Sequence, residues 1–255
     1  MITDDAVAQT VCDTVAGYAQ SCGLEKMWRQ PITAFASVSD PRFSLLKAII
    51  SPSHLVPNDL LAGAKTIVCF FIPFTEDVVS NNEAGKEASL EWALGYVQTN
   101  QLIKLVCNEL ASLFATEGFR TGTVPAARNF DEQRLISDWS QRHVAWIAGL
   151  GTFGENNMLI TPLGCCGRFG SLATDWQPKC QPAAAGQRER CLSRRGMDCG
   201  MCKTKCPVNA YEDGIFDRHI CYTLCLHNAA LHKDVGLADV CGKCICGLPC
   251  SVRSP

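Results

Sequence analysis

The chain has 255 residues, of which 47% are hydrophobic and 19% charged, with a formal net charge of −2. These values are typical of a globular protein of one large or two small domains and argue against intrinsic disorder. No run of about 18 apolar residues predicts a membrane span, and the acidic stretch Met1–Val15 lacks the pattern of a signal peptide. Seventeen cysteines without such a signal predict a cytoplasmic protein whose cysteines bind metal.

Cysteines and charges are distributed unevenly along the chain. Thirteen of the 17 cysteines lie after residue 160. Residues 178–255 carry 11 Lys and Arg against 7 Asp and Glu, whereas residues 1–177 carry 12 against 18. The sequence therefore predicts two domains, 1–177 and 178–255, with a connector at Gln177–Gly186. The basic residues form no dense run or aromatic-interleaved patch, which argues against a nucleic-acid partner.

The first region alternates between helical and strand patterns. Val7, Val11 and Val15 share one face of a helix that ends near Gly23. The apolar run at 64–74 predicts a buried central strand. Further along, we predict a helix at 89–117, a short strand at 119–124, a helix at 132–148, and strands at 157–161 and 168–174. Strands separated by long helices favour an α/β sandwich.

Ten cysteines lie between Cys191 and Cys250, and their spacing indicates iron–sulfur chemistry. Residues 199–207 read Cys-Gly-Met-Cys-Lys-Thr-Lys-Cys-Pro, and C-x2-C-x3-C-P is the core of the ferredoxin run that holds [4Fe–4S] clusters. The Cys before Pro usually ligates a second cluster, and residues 241–250 supply a second cysteine group. A zinc ribbon is the alternative, but the x3 gap before Cys-Pro favours two clusters and electron transfer.

Ten cysteines for eight ligand positions require a choice. We predict that one cluster is bound by Cys191, Cys199, Cys202 and Cys250, and the other by Cys206, Cys221, Cys241 and Cys244. Cys225 and Cys246 are then spare, and Cys225 competes with Cys221 for its position. Cys165 and Cys166 lie outside this set, in a Gly-flanked turn. They are either a redox thiol pair or a contact to a cofactor, or simply two small residues in a tight turn.

Residues 148–161, Ala-Gly-Leu-Gly-Thr-Phe-Gly-Glu-Asn-Asn-Met-Leu-Ile-Thr, resemble a stretch of the epoxyqueuosine reductases, A-G-L-G-x-x-G-x-N-x-(L/M)-L-I. The following Gly-rich segment at 164–175 is also similar, as are the C-x2-C-x3-C-P group and the D-x-x-x-C element at 217–221. The chain therefore resembles that family, which is related to the reductive dehalogenases, over most of its length.

The resemblance implies an α/β domain of the nitroreductase-like or cobalamin-reductase-like sandwich type, followed by a small ferredoxin-like domain with two [4Fe–4S] clusters. In that family electrons pass through the clusters to cobalamin, which is thus a further candidate cofactor here. The implied partners are a ferredoxin- or flavodoxin-type electron donor and a small-molecule substrate. The residues implied near the cofactor are Gly149, Leu150, Gly151, Gly154 and Asn157, with Arg168 as a partner for an anionic cofactor group. The glycines are equally those of a helix end and a tight turn.

The sequence departs from the family at its catalytic acid. The V-D-T-x-P element, whose Asp is the proposed proton donor, is replaced by Leu135-Ile-Ser-Asp138-Trp. Asp138 and His143 are therefore the catalytic candidates, although both also fit structural positions on a helix. The closing cysteine group reads C-x2-C-x5-C, and we expect a short form that lacks the C-terminal helical-repeat domain of the tRNA enzymes. We expect a substrate other than tRNA, and keep as alternatives a non-catalytic electron-transfer module or a reductive activator of a corrinoid protein.

Overall fold

The structure is a computed structural model, and it describes residues 1–124, 130–179 and 187–255. Most of the connector predicted at Gln177–Gly186 lies outside the described residues. The sheet region contains α1 (Asp4–Cys22), β1 (Ile32–Ser37), α2 (Arg42–Ile49), α3 (Pro57–Leu60), β2 (Thr66–Pro73), α4 (Glu76–Asn81), α5 (Leu90–Ala115), β3 (Thr121–Gly122), α6 (Gln141–Ile147), β4 (Thr152–Phe153), β5 (Leu159–Ile160) and β6 (Gly167–Thr174). The cysteine-rich region contains α7 (Met201–Thr204) and α8 (Arg218–Leu231).

Four strands form an antiparallel sheet in the order β1–β2–β6–β3. All eight residues of β2 are buried, and the strand pairs along its length with β6, from Thr66 opposite Thr174 to Pro73 opposite Gly167. A continuous apolar run suits a strand that is covered on both faces. The prediction of a buried central strand at 64–74 is therefore confirmed.

Alternate residues of β2 belong to two hydrophobic cores. Val68 and Phe70 contribute to the core with α1 and α5, whereas Ile67 and Phe71 contribute to the core with α2 and α6. This alternation follows from the two-residue period of a strand. The sheet is thus the middle layer of a sandwich with helices on both faces, and the mixed α/β prediction is confirmed.

The long helices begin and end at residues suited to those positions. Thr3 caps α1 by accepting the N–H of Ala6 at 3.1 Å, and Gly23 ends it with φ 65°. Ser89 caps α5 by accepting the N–H of Trp92 at 3.2 Å. Such caps satisfy amides that have no partner within the helix. The helices predicted before Gly23 and at 89–117 are both confirmed.

The helix predicted at 132–148 is wrong in its first half, because α6 begins only at Gln141. The Asp131 carboxylate accepts the N–H groups of Gln133 and Arg134 at 3.0 and 2.9 Å, and Leu135 has φ 53°. A short acidic side chain that bonds nearby amides favours a turn over a helix. The preceding residues 125–129 lie outside the described part of the chain.

The cysteine-rich region consists of short helices and turns packed against the sheet region. Asn82 donates to the carbonyl of Cys241 at 2.9 Å, and the Lys243 ammonium donates to the carbonyls of Asn82 and Ala84 at 2.9 and 2.6 Å. Arg29 donates to the carbonyl of Val252 at 2.9 Å. The last cysteine group is therefore anchored to the sheet region. No helix among the described residues is both long and apolar enough to cross a membrane.

Candidate functional site

Nine of the ten described cysteines of the second region form two groups around two cavities. The first thiol group lines a cavity of about 30 Å³ and comprises Cys191, Cys199, Cys202 and Cys250. The second thiol group lines a cavity of about 290 Å³ and comprises Cys206, Cys221, Cys225, Cys241 and Cys244. Two cysteines join the thiol group that is formed mainly by the other cysteine run of the sequence. Cys206 leaves the 199–206 run for the second group, and Cys250 leaves the closing run for the first.

The thiols of each group are close enough to perturb one another. Burial raises the pKa of Cys202, and the neighbouring Cys191 and Cys199 raise it further. Burial also raises the pKa of Cys241 to about 11, with a further contribution from Cys221. Buried thiolates that repel each other are unfavourable unless a cation compensates them. Both groups therefore suit metal ligation.

The described thiols are not arranged as a site for one metal ion. Among the described residues, no three His, Cys, Asp or Glu side chains converge closely enough to hold a single metal ion. Zinc requires four ligands on one centre, with thiolates at about 2.3 Å. In a [4Fe–4S] cluster each thiolate binds a different iron, so the sulfurs lie further apart and surround a space.

Trp92 provides an unpaired donor beside the second thiol group. Its side chain is 3% exposed, and its Nε1–H has no hydrogen-bond partner among the described residues. Gly242 has φ 76°, and a Cβ there would overlap the Trp92 indole. Both residues line the larger cavity. A buried donor without an acceptor costs about 1–3 kcal/mol, and a cluster held by Cys241 and Cys244 would supply sulfur acceptors.

Lys243, which lies between Cys241 and Cys244 in the sequence, adds a buried positive charge. The residue is 4% exposed, and its ammonium bonds only backbone carbonyls among the described residues. Burial lowers the pKa of Lys243, while Cys241 and Cys246 act in the opposite direction. A buried cation of this kind requires a nearby anion, and an iron–sulfur cluster with its thiolates is anionic.

Cys246 belongs to neither group, and the second group holds one thiol more than the four that a cluster needs. Cys246 is fully buried and accepts a hydrogen bond from Asn82 at 3.5 Å. Cys225 lies one turn after Cys221 on α8, and both line the larger cavity, so either thiol is in position to be the ligand.

Cys165 and Cys166 lie beneath the closing cysteine group. Both are fully buried. The Cys165 N–H donates to the carbonyl of Cys250 at 2.9 Å, and the Cys166 thiol donates to the carbonyl of Ile245 at 3.1 Å. These bonds hold the closing group against β6.

Three of the residues predicted near a cofactor border the cavities. Asn157 and Arg168 line the larger cavity, and Gly154 lines the smaller one. Asn157 has φ 63°, and its carbonyl accepts a hydrogen bond from the Arg142 guanidinium at 2.5 Å.

The other three residues of that prediction shape the end of α6 and the β4–β5 hairpin, and they line neither cavity. Gly149 follows α6 with φ 86°. Leu150 is 5% exposed and belongs to the core with α6. A Cβ at Gly151 would overlap the carbonyl of Ile160, so the close approach of the two strands requires glycine.

The two catalytic candidates also lie outside the lining of both cavities. Asp138 accepts a hydrogen bond from Ser53 at 2.8 Å. The Nδ1 atom of His143 lies 2.7 Å from the Ser140 hydroxyl, and its ring packs 4.6 Å from that of Phe153. Burial lowers the pKa of His143 to about 4, so the imidazole is neutral near pH 7 and unsuited to donate a proton as imidazolium.

Sequence reasoning did not single out the polar residues that line the larger cavity. The Tyr96 hydroxyl donates to the Asp239 carboxylate at 2.8 Å. The Tyr211 hydroxyl donates to the carbonyl of Asn156 at 3.4 Å, and burial together with the nearby Cys244 raises the pKa of Tyr211. These residues come from separate elements that meet only in the folded chain, so no local spacing marks them.

Comparison with protein-family models and with curated proteins finds no match. Among solved structures, the epoxyqueuosine reductase of Bacillus subtilis matches with a TM-score of 0.52 and 17% identity, over 96% of this chain and 66% of its own. That of Streptococcus thermophilus matches with a TM-score of 0.52 and 16% identity, over 94% and 67%. The chain has the fold of the epoxyqueuosine reductases. A catabolic reductive dehalogenase matches with a TM-score of 0.54 and 14% identity, over 84% of this chain and 28% of its own.

These matches confirm the resemblance to epoxyqueuosine reductases and reductive dehalogenases at the level of fold. This chain spans about two thirds of the length of the reductases. One of the reductase structures holds an epoxyqueuosine-modified tRNA-Tyr stem loop.

Proposed function

We propose that this chain is an iron–sulfur reductase with two [4Fe–4S] clusters, which passes electrons to a small molecule in the larger cavity. Cluster 1 is held by Cys191, Cys199, Cys202 and Cys250, and cluster 2 by Cys206, Cys221, Cys241 and Cys244. The main support is the exchange of Cys206 and Cys250 between the thiol groups, because paired ferredoxin clusters share their cysteine runs in this way.

Electrons enter at cluster 1 and leave from cluster 2. Tyr211 lies close enough to Cys202 of the first group and to Cys244 of the second to be affected by both charges, so the two clusters are neighbours. Only the second group borders the larger cavity. A ferredoxin- or flavodoxin-type protein in the cytoplasm supplies the electrons, one at a time.

The cavity fits cobalamin poorly. Its volume is about 290 Å³, at the lower end of the roughly 300–1,000 Å³ of small-ligand sites, and cluster 2 adjoins part of that space. A corrin ring with its nucleotide tail is much larger than the ligands of such sites. We therefore assign cobalamin no part in the reaction, although the resemblance implied it.

A second candidate is an electron-transfer module that reduces a corrinoid protein instead of a small molecule. It is favoured by the position of Asp138 and His143 outside both cavity linings, which leaves the predicted proton donors away from any substrate there. The two candidates differ in the electron acceptor. They are distinguished by testing which acceptor reoxidises the reduced protein. A small molecule that reoxidises the clusters in repeated turnovers supports the reductase, whereas reoxidation only by a corrinoid protein supports the module.

Metal analysis of the anaerobically purified protein tests the clusters. We expect about eight irons and about eight sulfides per chain and broad visible absorbance. Zinc without iron would overturn the proposal. The same protein is reconstituted with cobalamin and desalted, and cobalt that stays bound would reverse our assignment and make cobalamin the electron carrier in the cavity.

Matched cysteine variants test the ligands. Cys206→Ser removes a cluster 2 ligand and is expected to lower iron to about half. Cys246→Ser changes a buried cysteine that lines neither cavity and is expected to leave iron unchanged. Loss of iron in both variants alike would contradict the assignment. Comparison of Cys221→Ser with Cys225→Ser decides which thiol of α8 is the ligand.

A further inference from the structure

Two arginines line the larger cavity without a carboxylate partner. Arg168 donates to the Asn100 side-chain oxygen at 2.9 Å, and its guanidinium lies 4.1 Å from the centre of the Tyr96 ring. Arg142 donates to the carbonyl of Asn157 and to the sulfur of Met158. Among the described residues, no carboxylate oxygen lies within 4.0 Å of either guanidinium. Both positive charges therefore have only uncharged partners.

The two charges also disfavour each other. Burial lowers the pKa of Arg142, and the nearby Arg168 lowers it further, against the opposing effects of Tyr211 and Cys244. A pair of guanidinium groups in a partly buried cavity is stabilised by an anion placed between them. Arginine binds planar oxyanions well because its N–H donors form a fork that matches a carboxylate.

Cluster 2 offsets part of this positive charge. Arg142 is close to Cys244, a proposed ligand of that cluster, and is affected by its charge. The contacts of Arg168 are with Asn100 and Tyr96, and neither is a cluster ligand. Among the described residues that line the cavity, Asp239 alone carries a carboxylate, and it accepts a hydrogen bond from Tyr96. Arg168 is thus left to bind an anion that enters the cavity.

We propose that the larger cavity binds an apolar carboxylate, with its carboxylate group held by Arg168 and Arg142. Phe74, Val240 and Ile245 line the same cavity and supply an apolar surface for the body of the ligand. A single negative charge suits the site better than a phosphate dianion, because the anionic cluster 2 lies beside it. The inference rests on the proposed function and gives the substrate class of that reductase.

The test uses the anaerobic holoprotein and isothermal titration with benzoate, with benzamide as a neutral molecule of the same shape, and with inorganic phosphate. We expect benzoate to bind at least about tenfold more tightly than benzamide or phosphate. Arg168→Gln should weaken benzoate about 10- to 100-fold and leave benzamide nearly unchanged. Arg168→Lys should restore part of the affinity. Arg253→Gln removes an exposed arginine that does not line the cavity and should have no effect.

The failure of this inference is distinguishable from the failure of the proposed function. Iron content of the same samples reports on the clusters independently of benzoate. Equal affinity for benzoate and benzamide in a chain with full iron overturns the carboxylate site and leaves the reductase in place. If Arg168→Gln shifts the potential of cluster 2 but does not change benzoate affinity, Arg168 serves the cluster and the inference is wrong. If the chain binds no iron, the proposed function fails but the carboxylate site can still be tested. Benzoate binding that is weakened by Arg168→Gln supports the site, and binding that is unchanged overturns it.

Discussion

The sheet region, residues 1–177, and the cysteine-rich region, residues 187–255, obtain their stability in different ways. The sheet region buries β2 completely between two cores. In the other region, the 14 residues of α8 include a single buried one, Asn228, while Ile220, Leu226 and Leu231 are 43%, 49% and 53% exposed. Apolar burial therefore accounts for the first region, whereas the second depends on its contacts with the sheet region and, under the proposed function, on its clusters.

Removal of iron is expected to have the largest effect and to act on one region only. Binding of a structural metal contributes directly to folding, so the chelated protein should lose the helices of the cysteine-rich region. Hydrogen exchange measured by mass spectrometry should show α8 unprotected and β2 still protected. Equal loss of protection in both regions would mean that the sheet also depends on the clusters.

Truncation of a central sheet residue should have the next largest effect on stability, and it should leave the metal content unchanged. Phe70 is fully buried in β2, and its ring lies where a Cβ of Gly170 would be. Phe70→Ala is expected to lower the free energy of unfolding by about 3–5 kcal/mol, with iron per folded chain unchanged. Leu45→Ala removes a side chain that is 53% exposed and should cost less than about 0.5 kcal/mol. Urea unfolding compares the two variants.

Acid should weaken the sheet region through a half-buried histidine, His143. Burial, with smaller effects of Arg142 and His54, lowers the pKa of His143 to about 4, below its value near 6.5 in the unfolded chain. The folded state thus binds fewer protons, and stability falls as pH decreases below about 6.5. We expect a loss of about 1 kcal/mol between pH 7.5 and pH 5.5, after allowance for solvent screening.

Urea unfolding followed by far-ultraviolet circular dichroism at the two pH values measures this loss. His143→Gln cannot be protonated in that range and should show a smaller decrease than the unchanged chain. A decrease of the same size in both proteins would assign the acid sensitivity to other groups.

The sequence predicted features that one stretch of chain encodes by itself. A continuous apolar run indicates burial on both faces, which is why β2 was predicted correctly. Edge strand β1 was missed, because five of its six residues are only partly buried and their pattern is correspondingly weak. The false helical start at 132 has a local cause, since the side-chain bonds of Asp131 override the helical periodicity.

The candidate site shows the same division between local and long-range information. Cysteine spacing predicts metal binding, so the two thiol groups could be anticipated, although their ligand roles stay a prediction. Arg168 was predicted as a partner for an anionic group, but its pairing with Arg142 could not be anticipated, because Arg142 comes from α6 and Arg168 from β6. Their meeting in one cavity depends on how the sheet positions the two elements.

The smallest predicted effect concerns a residue of the sheet region that contacts the other region. The Trp92 Nε1–H is buried and finds no partner in the part of the chain that the structure describes, and we expect it to donate to a sulfur of cluster 2. Such a donor stabilises the more negative, reduced cluster. Trp92→Phe should therefore lower the potential of cluster 2 by about 20–60 mV, equivalent to a hydrogen bond of about 0.5–1.5 kcal/mol.

Redox titration followed by electron paramagnetic resonance measures this shift. Trp139→Phe is the matched control, because Trp139 is equally buried but its Nε1–H donates to Ser171 at 3.0 Å, in the core on the other face of the sheet. An unchanged potential in Trp92→Phe, or an equal shift in both variants, would show that the indole serves packing alone. A shift confined to Trp92→Phe would mean that the sheet region sets the potential of the cluster as well as anchoring its ligands.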